Sequence, residues 1–353
     1  MRRRSAERFV PRLFERGWLP LLSWHQIAEL MQHGNDGLVD MRLRYLRGWP
    51  MAAWVKGGVP NVIPGSELDV LRAEVRAAYT RPELDVLGVR DIARSDLLSY
   101  GTGLEAVPDS LSNWRILRLF LAEHQAHAQK VAVISPWRAI EIENTRIADW
   151  LDKPHRDNEA TAATLVKVRA HLKKEIVERG DKRIASPAHM AADFMSDVAA
   201  NVELAISEGL SEPLPVRILL RAGLEPDEIN FAATFRETMA MVMFRQRLRM
   251  ASDAENLPWE EVKEIVTPDR VPSAFTHECM RTYAHDQPER KGSDVNDLSL
   301  LCLAPYATET FVDKRTLESV RRAKQKVPRL AELLGSVRKA ASYHDITAAC
   351  PQR

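Results

Sequence analysis

The stretch GSDVNDLSLLCLAPYATETFVDKRT, residues 292–316, decides the fold, because it places three aspartates around one short helix and one short strand. Asp294 and Asp297 are three residues apart, so a helix puts both side chains on one face. The leucines that follow give this helix a buried side, and Thr310–Val312 is typical of a buried strand that ends at Asp313. This order of helix, turn, strand and acid predicts a metal-binding active site.

A second α/β pattern occupies the N-terminal part of the chain. Two apolar runs are typical of strands, and the two segments between them have the periodicity of helices. The predicted elements are a strand at Trp18–Ser23, helices at Trp24–Gln32 and Leu38–Leu46, and a strand at Met51–Val55. The first of these helices carries Glu29, which is a further candidate for the acidic site.

These two ends of the chain resemble PIN-like nucleases. In that family, an acid that opens a helix and a second acid at the end of the next short parallel strand bind divalent metal ions. A glutamate on the helix after the second strand of the family matches Glu29. The resemblance implies that Glu29, Asp294, Asp297 and Asp313 are catalytic ligands of Mg²⁺ or Mn²⁺. It also implies an endoribonuclease, and it favours RNA over DNA as the nucleic-acid substrate.

One departure from the family lies at the N-terminus. PIN-like domains begin with a strand that ends in an aspartate, whereas here a helix is predicted at Ser5–Arg16 and no acid precedes Glu7. Three interpretations stay open: the chain begins late and lacks one ligand, the four remaining acids form the site, or the fold is kept without activity. The last defines the alternative function, an inactive PIN-fold scaffold that binds a protein or nucleic acid through its helical insertion.

The predicted fold class is α/β, with a small parallel-sheet PIN-like domain formed by both chain ends and a large all-helical insertion. Residues 1–57 and 285–353 form the first domain and residues 58–284 the second. The strands at 18–23, 51–55 and 310–312 are expected to be parallel in one sheet. Long helices are predicted in the insertion at Trp114–Gln129, Glu159–Glu178, Ala188–Glu208 and Glu228–Ala251, the last started by Glu225 or Asp227.

The segment Lys130–Glu143 is a rival for the nuclease glutamate. Val131–Ser135 is typical of a strand, and the run after Pro136 predicts a helix with Glu141 and Glu143. Asp91 or Asp96 would then supply the first acid. We favour Glu29 because two predicted strands flank its helix.

Hard divalent cations prefer carboxylate oxygens, which is why the acids point to Mg²⁺ or Mn²⁺. A local interpretation of the same residues is a helix start, in which Ser293 or Asp294 caps the backbone and Asp297 lies near the positive end of the helix dipole. That interpretation does not account for Asp313. The spacing of His25, Glu29 and His33 could also bind zinc on one helix face, although no H-E-x-x-H motif is present.

Basic residues follow Asp313 directly. The segment Lys314–Lys339 contains nine lysines and arginines and two glutamates. It is interpreted either as a phosphate-contacting face or as a surface helix with a solvated charged side. Lys314 and Arg315 are the preferred substrate-binding candidates because they adjoin the acid, and His25 is expected to orient Glu29 or contact phosphate. The basic segment alone would also suit a helical nucleic-acid-binding regulator.

The amino-acid composition limits the kinds of partner and the cellular location that are expected for the protein. The formal net charge is +1, so nucleic-acid binding would depend on local patches rather than on a global field. Three cysteines without C-x-x-C spacing argue against a disulfide framework and favour a cytoplasmic location. No apolar run approaches the ~18 residues of a membrane helix, so no membrane partner is expected. The helical insertion is the expected surface for a protein partner or a homodimer.

Overall fold

The computed structural model describes residues 9–58, 64–134, 144–151, 158–207, 212–283, 289–340 and 342–349. These residues are mostly helical and include a small mixed sheet. The helices are α1 (Phe9–Glu15), α2 (Trp24–Met31), α3 (Asp36–Arg47), α4 (Glu67–Thr80), α5 (Val86–Leu97), α6 (Gly103–Ala106), α7 (Arg118–Ile134), α8 (Ile147–Leu151), α9 (Asn158–Arg179), α10 (Pro187–Ser207), α11 (Leu214–Arg221), α12 (Phe235–Glu255), α13 (Trp259–Ile265), α14 (Pro272–Tyr283), α15 (Gly292–Leu301), α16 (Lys314–Lys326), α17 (Pro328–Leu334) and α18 (Tyr343–Ala349). Short 3-10 helices lie at Asp109–Leu117, Pro226–Glu228 and Ala304–Tyr306.

Two separate sheets contain the strands of the described residues. The strands are β1 (Leu21–Leu22), β2 (Ala52–Val55), β3 (Leu98–Gly101), β4 (Glu309–Val312) and β5 (Ser336–Lys339). In the first sheet β1 and β2 are parallel, with Leu21 opposite Ala53, and β3 is antiparallel to β2. In the second sheet β4 and β5 are parallel, with Glu309 opposite Ser336.

The expectation of one parallel sheet from residues 18–23, 51–55 and 310–312 is therefore wrong. The parallel pairing of the first two strands is confirmed, but β3 occupies the free edge of β2, and the third predicted strand pairs with β5 instead. Because β3 falls within residues 58–284, the expectation of an all-helical insertion is also wrong at this point.

The chain divides into two compact units. The first contains residues 1–124, 251–285 and 296–353, and the second contains residues 125–250 and 286–295. The unit with both chain ends is thus larger than the predicted domain of residues 1–57 and 285–353. Its extra segments include the α4–α5 hairpin, α13 and α14.

One core of the first unit is formed by its N-terminal helices and sheet. Trp114, which is 1% exposed, packs into it, and its indole N–H donates to Asp40 at 2.8 Å. Arg115 bonds Asp36 at 3.0 Å and Asp40 at 2.7 Å, and both Arg115 and Arg118 lie over the Trp114 ring. These contacts hold the 3-10 helix at 109–117 against α3.

A second core of the first unit packs α14 against α4, α5, α16 and α17. Met280 on α14 meets Leu301, Val320, Leu330 and Leu334 in one buried cluster. Apolar positions three and four residues apart place such side chains on one face of each helix. This packing brings the C-terminal segment against the α4–α5 hairpin.

The second unit has its own apolar clusters. One gathers Ile147 with residues of α11 and α12, and the other joins Val133, Leu172 and Ile176. Beside the latter, the Arg290 guanidinium lies 3.4 Å from Glu175, and both side chains are buried. A buried charge is tolerated when it is paired in this way.

Several sequence expectations about helices need correction. Residues 131–134 are the end of α7 rather than a strand, while Ser135, Glu141 and Glu143 lie outside the described residues. The segment predicted as a helix at 114–129 is a 3-10 helix up to Leu117 and an α-helix from Arg118. The helix expected from Glu228 begins only at Phe235, because the hydroxyl and amide of Thr234 bond Glu237 in a capping box.

The N-terminal helix predicted at Ser5–Arg16 is described from Phe9 and ends at Glu15. In the part of the chain that the structure describes, no helix combines the length and the apolar character that crossing a membrane requires.

Candidate active site

A large cavity lies in the first unit beside β4. Its volume is about 1030 Å³, and three of its lining residues are acidic: Asp297, Glu309 and Asp313. Arg16, Gln26 and Tyr100 add other polar groups to the wall, and the rest is largely apolar. Two of the four acids that the sequence predicts as metal ligands, Asp297 and Asp313, therefore line one cavity.

Asp313 follows the last residue of β4 and caps α16. Its Oδ1 accepts the backbone N–H of Thr316 at 2.7 Å, which satisfies one amide that the first helical turn would otherwise leave unpaired. The Arg315 guanidinium lies 3.7 Å from Oδ2. Burial opposes ionisation of this carboxyl, but the bonds from Thr316 and the charge of Arg315 hold its pKa below the ordinary value. Asp313 is accordingly a carboxylate at neutral pH.

Glu309 is an acid of the cavity that sequence reasoning missed. Strand residues two apart point to one face, so Glu309, Phe311 and Asp313 follow one side of the chain. Its Oε2 accepts the Ser336 hydroxyl at 2.8 Å and lies 3.0 Å from the Arg338 guanidinium. The two-residue alternation of side chains along the predicted strand could have identified Glu309, but the pairing of β4 with β5 was not visible in the sequence.

The other predicted ligands lie elsewhere. Glu29 is exposed on α2 and is not among the residues that line the cavity. Asp294 belongs to the second unit, where its carboxylate accepts the backbone N–H of Lys291 at 2.8 Å at the start of α15. That bond is the local helix-start role that the sequence also allowed.

The histidines of α2 and the loop after it have local environments. Burial lowers the pKa of His25 below its ordinary value, with Glu67 acting against this and His124 adding to it. The Nδ1 of His33 accepts the backbone N–H of Asn35 at 3.1 Å. His33 thus supports the turn before α3, which does not favour the zinc interpretation of His25, Glu29 and His33.

The basic segment after Asp313 forms three elements rather than one helix. Pro328 starts α17 after α16 has ended at Lys326, and Arg338 and Lys339 belong to β5. Within the segment Arg321 pairs with Glu318 at 3.0 Å, and the Lys324 ammonium donates to the Gly335 carbonyl. Lys314 is exposed at the first turn of α16, and Arg315 adjoins Asp313.

A buried carboxyl joins α4 to α14 and is bonded to Tyr306, a residue of the cavity wall. Glu74 is 0% exposed and accepts the amide of Ser273 at 2.9 Å, the hydroxyl of Ser273 at 2.5 Å and the phenol of Tyr306 at 2.6 Å. Burial raises the pKa of Glu74 to about 7, although these hydrogen bonds lower it in part. No periodic pattern in the sequence marks this group as buried, because glutamate in an amphipathic helix is normally solvated.

Comparison of the chain with protein-family models, with curated proteins and with solved structures finds no match.

Proposed function

We propose that the protein is a PIN-like nuclease that hydrolyses RNA phosphodiester bonds with Mg²⁺ or Mn²⁺. The observation that carries the proposal is the cavity of about 1030 Å³ that Asp297 and Asp313 both line. The parallel pair β1–β2 and the acid at the carboxyl end of β4 are consistent with the PIN-like pattern. Ligands of parallel sheets generally lie at the carboxyl ends of the strands.

The acids that support binding of a hard divalent cation are Asp297 and Asp313. Asp313 is ionised at neutral pH and uses only Oδ1 for its helix cap, and Asp297 lines the same cavity. Glu309 is four residues away from Asp313 along extended chain, roughly 13 Å, and its Oε2 is bonded to Ser336 and Arg338, so it is not assigned to the metal. A metal held by Asp297 and Asp313 would supply an activated water for attack on phosphorus. Arg315 and Lys314, next to Asp313, would orient the phosphate through charge. Glu29 and Asp294 do not line the cavity and stay predictions from the sequence, as does His25, which lies on the same helix as Glu29.

Cleavage of single-stranded RNA in the presence of Mn²⁺ tests the proposal. Asp297→Asn should lower the cleavage rate by about 10²-fold or more, because it removes a charged group at the reacting phosphate. Glu318→Gln is the matched control, since Glu318 is exposed on α16 and pairs only locally with Arg321. Equal rates for wild type and Asp297→Asn would overturn the proposal.

A second candidate function follows from the local roles of the acids. Asp313 caps α16, Glu309 is bonded to Ser336 and Arg338, and Asp294 closes the start of α15. These roles would also be filled in a PIN-like scaffold that binds RNA or a protein partner without cutting. RNA binding that is unchanged by EDTA, with no cleavage under any divalent cation, would favour this scaffold over the nuclease.

A further inference from the structure

A mixed cluster of ligand-type side chains lies in the first unit. Glu67 at the start of α4, His277 on α14 and Cys302 just after α15 each offer one ligand atom, and these atoms all lie within 4.8 Å of one another. None of the three lines the cavity beside β4. The cluster is thus a second possible centre of chemistry in this unit.

The geometry of two helices explains why the cluster forms. Glu67 and Glu74 are seven residues apart on α4, and Ser273 and His277 are four apart on α14, so each pair shares one helix face. The hydrogen bonds from Ser273 to Glu74 fix these faces against each other. Two turns before Glu74 on α4 and one turn after Ser273 on α14, the same two faces bring the Glu67 Oε1 within 3.1 Å of the His277 Nε2. Cys302 adjoins this pair, with its sulfur 3.9 Å from the Ser273 carbonyl.

The imidazole of His277 has a buried ring nitrogen that makes no hydrogen bond with the described residues. This nitrogen, Nε2, lies 3.1 Å from the Glu67 Oε1 as an ion-pair contact that is not a hydrogen bond. A buried ring nitrogen without a hydrogen bond is unfavourable, and buried imidazoles therefore bind a polar group or a metal. This nitrogen faces a carboxylate and lies in the same cluster as a sulfur, both of which are metal ligands.

The burial of Cys302 favours a role as a metal ligand over a role as a catalytic nucleophile. Its side chain is 0% exposed, and the sulfur contacts the Leu298 and Ser273 carbonyls, so a macromolecular substrate cannot approach it. A metal ion is small enough to enter. The Glu67 and His277 side chains keep 12% and 23% of their surface exposed, which leaves one side of the cluster accessible from solvent.

We propose that Glu67, His277 and Cys302 form a zinc site. Thiolate, imidazole and carboxylate are the ligands that Zn²⁺ uses in proteins, and three protein ligands leave a fourth position for water. A tetrahedral site with such bonds spaces its ligand atoms roughly 3.3–3.8 Å apart. Ligand atoms that lie within 4.8 Å therefore need to close by only about 1 Å. Mg²⁺ and Mn²⁺ prefer oxygen ligands, so this centre is chemically distinct from the acids beside β4.

Cobalt(II) titration of the full-length metal-free protein tests this site. Thiolate ligation of Co²⁺ produces a strong charge-transfer band in the near ultraviolet, whereas a carboxylate site does not. We expect the band to saturate at one equivalent of Co²⁺ and to disappear when Zn²⁺ is added. Zn²⁺ alone should also raise the thermal midpoint, because it binds the folded state.

Substitution of each of the three proposed ligands tests whether that residue binds the metal. Cys302→Ser should abolish the band, and His277→Gln and Glu67→Gln should weaken Co²⁺ binding at least tenfold and remove the thermal shift with Zn²⁺. Cys279→Ala is the matched control, because Cys279 is a buried cysteine on the same helix as His277 but lies outside the cluster. It should leave both signals unchanged.

A wild-type protein without a thiolate band at saturating Co²⁺ would overturn the zinc site. So would a band that survives in Cys302→Ser or is lost in Cys279→Ala. If Cys302→Ser fails to fold, His277→Gln and Glu67→Gln decide the question through the thermal shift with Zn²⁺. The result is independent of RNA cleavage, since none of these residues lines the cavity beside β4.

Discussion

Glu74 shows how one buried side chain sets a pH dependence. Its pKa is raised by burial to about 7 in the folded protein, above the ordinary value of 4.5. Below pH 4.5 the carboxyl is protonated in both the folded and the unfolded state, so the folded state carries no charge penalty. As the pH rises from about 4.5 through 7, the unfolded state ionises first, and stability is lost.

We predict that Glu74→Gln removes this loss. The free energy of unfolding of the wild type should fall by up to roughly 3 kcal/mol more than that of Glu74→Gln between pH 4.5 and 7. Glutamine keeps an oxygen acceptor for Ser273 and Tyr306 but cannot ionise. Urea unfolding at a series of pH values measures the difference. Identical pH profiles for the two proteins would show that Glu74 does not titrate in this range.

Asp313 combines a structural role with a proposed catalytic one, and two substitutions separate them. Asparagine is as good an N-cap as aspartate, whereas alanine cannot accept the Thr316 amide. We predict that Asp313→Ala lowers the free energy of unfolding by about 1 kcal/mol and that Asp313→Asn changes it by only a few tenths. Denaturant unfolding at neutral pH checks this. A loss in Asp313→Asn equal to that in Asp313→Ala would contradict the cap.

At the scale of elements, the contact between α6 and α3 depends on a glycine. A Cβ built on Gly103 would lie 1.9 Å from the Leu46 carbonyl oxygen at the end of α3. We predict that Gly103→Ala lowers the free energy of unfolding by about 1–3 kcal/mol, because the two elements must move apart.

Gly37→Ala provides the matched comparison. Gly37 lies in the exposed first turn of α3, and a Cβ there would come no closer than 3.4 Å to the Asn35 side chain. Alanine should stabilise this helix by about 0.4–1 kcal/mol, since it restricts the unfolded chain. Thermal unfolding of both variants compares them. A destabilised Gly37→Ala together with an unaffected Gly103→Ala would contradict the close contact between Gly103 and the Leu46 carbonyl.

Helices with regular periodicity were the elements that sequence reasoning placed best. The helices predicted at 24–32, 38–46, 159–178 and 188–208 are found at 24–31, 36–47, 158–179 and 187–207. The strands β3 and β5 were missed, because LSYG contains a glycine and SVRK is polar and follows a basic helix. Their pairing is decided by long-range contacts, and strand propensity depends on those neighbours more than on local sequence.

The acidic cavity could be predicted only in part. Asp297 and Asp313 could be identified because one lies in a short helix and the other directly follows a short strand, and both elements are visible within residues 292–316 of the sequence. Glu309 was missed because its partners Ser336 and Arg338 come from β5. The Glu67, His277 and Cys302 cluster had no sequence signal, since its residues come from three distant segments.

At the scale of the whole molecule, both ends of the chain belong to one compact unit. That unit contains residues 1–124 and 296–353, and it includes β1, β2, β4 and the cavity that Asp297 and Asp313 line. The second unit has separate apolar clusters and a buried Arg290–Glu175 pair of its own. The proposed nuclease chemistry and the proposed zinc site therefore both concern the unit that contains the chain ends.

The rate at which the full-length protein cleaves single-stranded RNA in Mn²⁺, compared between wild type and Asp313→Asn, tests the central claim most directly. The substitution keeps the helix cap and removes one carboxylate from the cavity. The proposed function predicts cleavage by the wild type that EDTA stops and that Asp313→Asn lowers by about 10²-fold or more. Cleavage that persists in both EDTA and Asp313→Asn, or a wild type that cuts no RNA with any divalent cation, would contradict it.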